Sequence, residues 1–143
     1  MIAGGARGVG LTGAVYRGAM DPDVKHLHLA SRDHQISLRF YQSYFGFRFD
    51  STFPRGDQPA ATIIRSPTGF QLYLEGASAE SLPAWFHFGF LVESAEACRS
   101  LHQRMQRDGV TIARPLVSTP FTNYFFADPD GHLVQAYFDP GAR

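Results

Sequence analysis

A single cysteine, Cys98, in 143 residues has nothing to pair with inside the chain, which excludes an internal disulfide framework and makes a reducing cytoplasm the expected setting. Charge of either sign is not in excess. Thirteen Lys and Arg balance thirteen Asp and Glu, so the formal net charge is zero and no attraction to nucleic acid or to a membrane surface is implied. Long apolar runs are missing too. The opening MIAGGARGVGLTGAVYRGAM lacks the uninterrupted hydrophobic core of a secretory signal and is too short and glycine-rich to span a bilayer. It contains Gly8-Val-Gly10-Leu-Thr-Gly13, the spelling of a dinucleotide fingerprint, but no strand precedes it and no crossover unit with a ribose-binding acid follows. Residues 1–22 are therefore expected to be a flexible extension and residues 23–143 a single domain, whose 44% hydrophobic content can fill a core.

What the chain has in abundance is aromatic residues and an internal repeat. Thirteen Phe, six Tyr and one Trp exceed what such a core requires, so part of the set is expected to line a cavity. His26 in Val-Lys-His26-Leu-His28-Leu-Ala and His87 in Trp-Phe-His87-Phe-Gly-Phe-Leu each lie in a short apolar-rich strand, followed by a helical stretch ending at Gly46 or Gly109. The intervals repeat: 20 residues from His26 to Gly46 and 22 from His87 to Gly109, then 23 from Gly46 to Gly69 and 22 from Gly109 to Gly131. A period near 61 residues implies a duplicated supersecondary unit, and it equates His26 with His87 and Tyr73 with Gln135. A pseudo-twofold arrangement of the units would bring those four side chains together.

Local signals give the units their elements. Alternation from Val24 to Ala30 puts His26 and His28 on one face of a strand. Asp33 can cap a helix in which Ile36, Phe40 and Tyr44 recur at about one turn, closed by Gly46. Strands are expected at 47–53, 60–65 and 70–75, with Arg55-Gly-Asp57 in a loop. The second half offers a strand at 85–92, a helix capped by Ser94 and stopped by Asp108-Gly109, and strands near 110–114, 122–127 and 132–138. Asp128 and Asp130 are expected to form the turn before the last strand, and Cys98 to be a small core residue. Strand, helix and three strands, twice over (about 24–75 and 85–139), gives an α+β domain.

The two histidine strands, with Ser-Leu-Arg-Phe-Tyr-Gln-Ser-Tyr-Phe-Gly-Phe at 37–47 and Asp-Pro-Asp-Gly-His-Leu-Val-Gln at 128–135, resemble the vicinal oxygen chelate superfamily over roughly residues 24–139. That superfamily includes glyoxalase I, extradiol dioxygenases, fosfomycin-modifying transferases, methylmalonyl-CoA epimerase and the bleomycin-resistance proteins. The resemblance implies two βαβββ modules forming a cup-shaped, mostly antiparallel sheet, commonly in a homodimer. It also implies a divalent metal (iron, manganese, nickel or zinc) that chelates adjacent substrate oxygens in the metal-using members. Ligands are implied at His26, His87 and Gln135, and the Tyr73 position is a fourth ligand in some branches.

Two of those positions depart from the pattern. Most metalloenzymes of the superfamily carry glutamate where Gln135 stands, and an amide oxygen is expected to bind a divalent ion more weakly. Glu75, two residues beyond Tyr73 on the same strand face, could supply the missing carboxylate. Tyr73 can coordinate as a phenolate or donate a proton, and His28 can bind substrate or shuttle a proton. Alternation places Trp85 with His87, Asn123 with Phe125, and Tyr137 with Gln135, a largely aromatic lining for a small-molecule substrate or ligand. Phe125, where extradiol dioxygenases usually have tyrosine, counts against catechol ring cleavage, and the non-acidic Tyr73 and Gln135 count against glutathione-dependent glyoxalase chemistry. Balanced charge gives no sign of a phosphonate pocket. Two functions remain: a metal-dependent lyase, isomerase or dioxygenase acting on a small oxygen-bearing, aromatic substrate, and a metal-free protein of the bleomycin-resistance type that sequesters an aromatic natural product.

Overall fold

The computed structural model describes residues 23–76 and 82–142; the expected extension at 1–22 lies outside the described residues. The elements run β1 (His26–Ala30), α1 (His34–Phe45), β2 (Arg48–Arg55), β3 (Gln58–Arg65), β4 (Gln71–Glu75), then β5 (Phe88–Leu91), α2 (Ala95–Arg107), β6 (Ile112–Val117), β7 (Thr122–Ala127) and β8 (Leu133–Phe138). This is βαβββ twice, in the α+β class. Among the described residues the strands form two four-stranded sheets, β1-β4-β3-β2 and β5-β8-β7-β6. In each, the first strand of the module pairs parallel with the last and the remaining pairs are antiparallel.

Capping accounts for the helix limits. The Asp33 carboxylate accepts the N–H groups of Gln35 and Ile36 at the start of α1, and Gly46 ends the helix at φ +70, a left-handed conformation that glycine adopts without strain. Ser94 accepts the Ala97 N–H at the start of α2.

Strand limits differ from expectation most at β5, β2 and β6, the last running Ile112–Val117 where 110–114 was expected. β5 begins at Phe88, because the Phe86 N–H turns back to the Pro83 carbonyl at 2.9 Å, so Trp85 and His87 precede the strand. β2 runs through Pro54 to Arg55, leaving Gly56 and Asp57 as the turn. Pro54 and Pro115 both lie in far-edge strands beside register shifts, where the missing N–H costs no inner ladder bond.

Helix α1 packs into both modules. Tyr41 is buried with Leu29, Phe47, Ile64, Leu72 and Leu74, whereas Phe40, Tyr44 and Phe45 pack against Cys98, Met105, Tyr124 and Phe126. The Phe45 and Phe90 rings stack at 3.9 Å.

The Asp-Pro-Asp-Gly turn joins the modules as well as turning the chain. Asp128 Oδ1 accepts the N–H groups of Asp130 and His132, while its Oδ2 accepts the Tyr41 hydroxyl at 2.8 Å. Asp130 accepts the Arg32 N–H at 3.0 Å, the Arg32 Nε at 3.1 Å and the Ser37 hydroxyl at 3.2 Å. His132 Nε2 lies 2.7 Å from the Ala30 carbonyl, at the end of β1. With the apolar faces turned to the helices, the alternate residues of each sheet look outward: His26 and His28 are exposed, and Tyr73, Gln135 and Tyr137 are half-buried.

Candidate functional site

The open face of the first sheet gathers one group of side chains. Parallel pairing sets His28 opposite Tyr73 and Ala30 opposite Glu75. The His28 and Tyr73 rings stack at 4.5 Å, and His26 lies 5.4 Å from each of them. His28 Nδ1 is 2.5 Å from Glu75 Oε1. Arg55 takes the same carboxylate with both arms, Nε to Oε2 at 3.1 Å and Nη2 to Oε1, and its guanidinium lies 4.9 Å from the Phe53 ring centre. Burial works to raise the Glu75 carboxyl, but the hydrogen bonds from Arg55 and His28 outweigh it and hold the group below the usual carboxylate range. Glu75 is thus engaged by two partners and is not the free carboxylate that alternation suggested.

The open face of the second sheet carries the equivalent group. Register pairs Phe125 with Gln135 and Asn123 with Tyr137, which puts these four on one face as expected. Asn123 and Phe125 are 8% and 9% exposed, so they form the floor, whereas Trp85, at 73%, stands in solvent at the rim. His87 meets the Phe125 ring edge-on at 4.9 Å.

Two hydrogen bonds here decide which atoms remain free. His87 Nδ1 lies 2.9 Å from the Trp85 carbonyl oxygen, which can only accept, so Nδ1 carries the proton and Nε2 keeps its lone pair. Gln135 Nε2 donates to Asn123 Oδ1 at 3.1 Å, leaving Gln135 Oε1 free to accept.

The modules are not symmetric in detail. The repeat-equivalent of His28 is Gly89, and the Tyr137 ring fills the space: a Cβ on Gly89 would fall 3.1 Å from Tyr137 Cε1. His28 is therefore the one histidine in the two groups without a counterpart.

Of the residues singled out from sequence, His26, His28 and Tyr73 come together on one sheet and His87, Phe125, Asn123 and Gln135 on the other. Among the described residues, no hydrogen bond, ion pair or ring contact joins the two sets. A groove of about 730 Å³ runs between the β1 and β5 edges, with His26 at its rim and Leu27, Phe70, Phe88 and Phe90 in its walls.

Sequence reasoning missed Arg55 and Arg114. Arg55 was expected in a loop; β2 runs through Pro54 to reach it, and alternation then sets Arg55 on the face of Phe53. Cys98 is fully buried and burial pushes its thiol up to about 11, which fits a packing residue and no nucleophile.

A duplicated α+β protein with its polar chemistry on two outward sheet faces is the class these observations define. A model of the Glyoxalase/Bleomycin resistance protein/Dioxygenase superfamily matches residues 23–136, and the chain belongs to that superfamily. A glyoxalase/bleomycin-resistance/dioxygenase domain from Frankia sp. EAN1pec is similar at 25% identity and a TM-score of 0.69, with 83% of this chain and 98% of that one covered. A possible glyoxalase from Bacillus cereus is similar at 28% identity and a TM-score of 0.67, covering 80% and 97%. The fosfomycin resistance protein FosX from Listeria monocytogenes shares the fold at 18% identity and a TM-score of 0.69, covering 85% and 97%. A comparison with curated proteins returned no match to this chain. No helix among the described residues is long and apolar enough to cross a membrane.

Members of the superfamily generally use a divalent metal. Among the described residues no three His, Cys, Asp or Glu side chains cluster as a metal site would; on the second sheet, His87 Nε2 and Gln135 Oε1 are the donor atoms left without a partner, and a histidine whose other nitrogen is tied to a carbonyl is held as metal-bound histidines are.

Proposed function

We propose that this protein is a metal-dependent enzyme of the glyoxalase/dioxygenase type that acts on a small oxygen-bearing, aromatic substrate by lyase, isomerase or dioxygenase chemistry. The observation that carries this reading is the pair of bonds that leave His87 Nε2 and Gln135 Oε1 free on the same open face. His26, His87 and Gln135 would hold the ion, with Tyr73 beside it. When bound, the metal supplies Lewis acidity to a substrate oxygen.

The chain's own residues do the rest. A contact of 2.5 Å between His28 Nδ1 and a carboxylate oxygen needs a hydrogen between them, so Nδ1 donates to Glu75 and the bare Nε2 is the atom that takes a proton from substrate. Tyr73, stacked on that ring, orients it and presents a hydroxyl to the same space. Phe125, Asn123, Tyr137 and Trp85 bind the substrate body.

The site is completed between two copies in a homodimer, His26 of one chain meeting His87 and Gln135 of another. Supporting this, β1 and β5 are sheet edges, and Phe53, Trp85, Leu91 and Val117 are 42–73% exposed. A lone buried thiol suits a cytoplasmic setting.

Elemental analysis of protein purified without a chelating tag, then incubated with iron(II), manganese, nickel or zinc and desalted, tests the reading. About one equivalent per chain, lost in His87→Ala, is expected. No retained metal under any condition would favour the second reading, a metal-free binder of aromatic natural products. One observation favours that binder: none of the four strands of the second sheet contains Asp or Glu.

A further inference from the structure

Arg114 is the only charged residue in the four strands of the second sheet. It lies on β6 opposite Phe125, exposed, with its guanidinium carbon 4.5 Å from the Phe125 ring centre. Its hydrogen bond, Nη2 to the Ala84 carbonyl at 3.2 Å, engages a neutral oxygen, and among the described residues no carboxylate pairs with it. The contrast with the first sheet is direct, since Arg55 there is neutralised by Glu75. A guanidinium lying on a ring uses its face and leaves edge N–H groups able to take a planar anion in two parallel bonds. The same Phe125 ring meets both this cation and His87.

We propose that the ligand of this site is an aromatic carboxylate, whose carboxylate is held by Arg114 while its ring extends across the open face past Tyr137 toward His87. This rests on the reading that the open face of the second sheet binds the substrate. It adds a specificity-determining cation and a chemical class for the ligand.

Trp85 is the only tryptophan in the chain and stands at the rim of this face, so its indole N–H gives one reporter signal in a ¹⁵N–¹H spectrum. The purified protein is titrated with 2-naphthoate and with 2-naphthamide, which share a ring and differ in charge. The acid is expected to bind at least about tenfold more tightly, as a charge-assisted bond should. Arg114→Gln, which keeps a flat group over Phe125, should bring the two probes within about twofold, and Arg114→Lys should keep part of the preference. Equal binding of both probes by the unaltered protein would overturn the role of Arg114 and leave the aromatic face standing. An acid preference that survives in Arg114→Gln would also overturn it, placing the cation elsewhere. If neither probe shifts the indole signal, the reading of this face as a ligand site falls and the inference with it.

Discussion

His28 and Glu75 meet at 2.5 Å, Nδ1 to Oε1, across the parallel pair β1 and β4, and Arg55 closes on the same carboxylate from β2. The carboxylate fixes the Nδ1–H form of the imidazole. Arg55 Nη2, 2.9 Å from Nδ1, would favour the opposite form if it acted alone, because it can only donate. Glu75→Gln should therefore shift His28 toward the Nε2–H tautomer and remove the basic nitrogen from the open face. The ¹⁵N shifts of the His28 ring report this directly, and turnover of a substrate should fall by roughly 10²-fold, the scale of a lost general base. An unchanged ring spectrum would mean that Glu75 does not set the tautomer.

A site shared between two copies makes a prediction that a site within one chain does not. His26→Ala and His87→Ala should each abolish metal retention. Mixed after partial unfolding and refolding, they should regain it, because half of the sites in a mixed dimer draw both histidines from unaltered positions. Metal content of the mixed dimer should approach one ion per two chains. No recovery in a mixed dimer isolated by differential tags would place both histidines in a single-chain site.

Tyr41 and Asp128 hold the modules together where no water can substitute. Tyr41 is fully buried and its hydroxyl is pushed well above the ordinary range, by burial first and then by the Asp128 charge. Tyr41→Phe keeps the ring but strands Asp128 Oδ2, which should cost about 1–3 kcal/mol in denaturant unfolding. A loss under about 0.5 kcal/mol would show that the carboxylate finds another donor.

Asp130 gives this junction a pH dependence of known sign. Burial works to raise its carboxyl, but the Arg32 N–H, the Arg32 guanidinium and the Ser37 hydroxyl outweigh that and hold it below the usual carboxylate range. A depressed folded-state value stabilises the fold above that range, and the contribution is lost as pH falls through the folded-state value. Asp130→Asn should lower Tm at pH 7, and its deficit relative to the unaltered protein should shrink steadily below about pH 4. A deficit independent of pH would assign the effect to shape and not to charge.

The fold was legible because its signals were local and repeated. Asp33, Gly46, Ser94 and Gly109 punctuate two helices at matching intervals, and alternation set His26 with His28 and Phe125 with Asn123 correctly. What stayed hidden depended on contacts between distant segments. Asp128 and Asp130 suggest a turn from their neighbours alone, yet their outer oxygens serve Tyr41, Arg32 and Ser37, more than 80 residues away in sequence. Glu75 had the right face but not the right freedom, since its partner Arg55, expected in a loop, ends β2. Arg114 carried no local signal; only the emptiness of the surrounding strands in charge makes it stand out.

Gln135 is where the chain departs most from its superfamily, and Gln135→Glu tests what that departure does. The amide donates to Asn123 Oδ1, and Asn123 in turn donates to the Phe121 carbonyl at 3.1 Å. A glutamate cannot donate, so Asn123 must turn its N–H₂ toward the new carboxylate and give up Phe121, a cost of about 1 kcal/mol in stability. Against that, an anionic oxygen replaces a neutral one on the proposed metal-facing side, and affinity for manganese or zinc should rise by about tenfold or more by calorimetric titration. Lower stability with tighter metal binding is the combination that a metal-facing residue gives. Lower stability with unchanged affinity would leave Gln135 as a partner of Asn123 alone, outside the ion's reach.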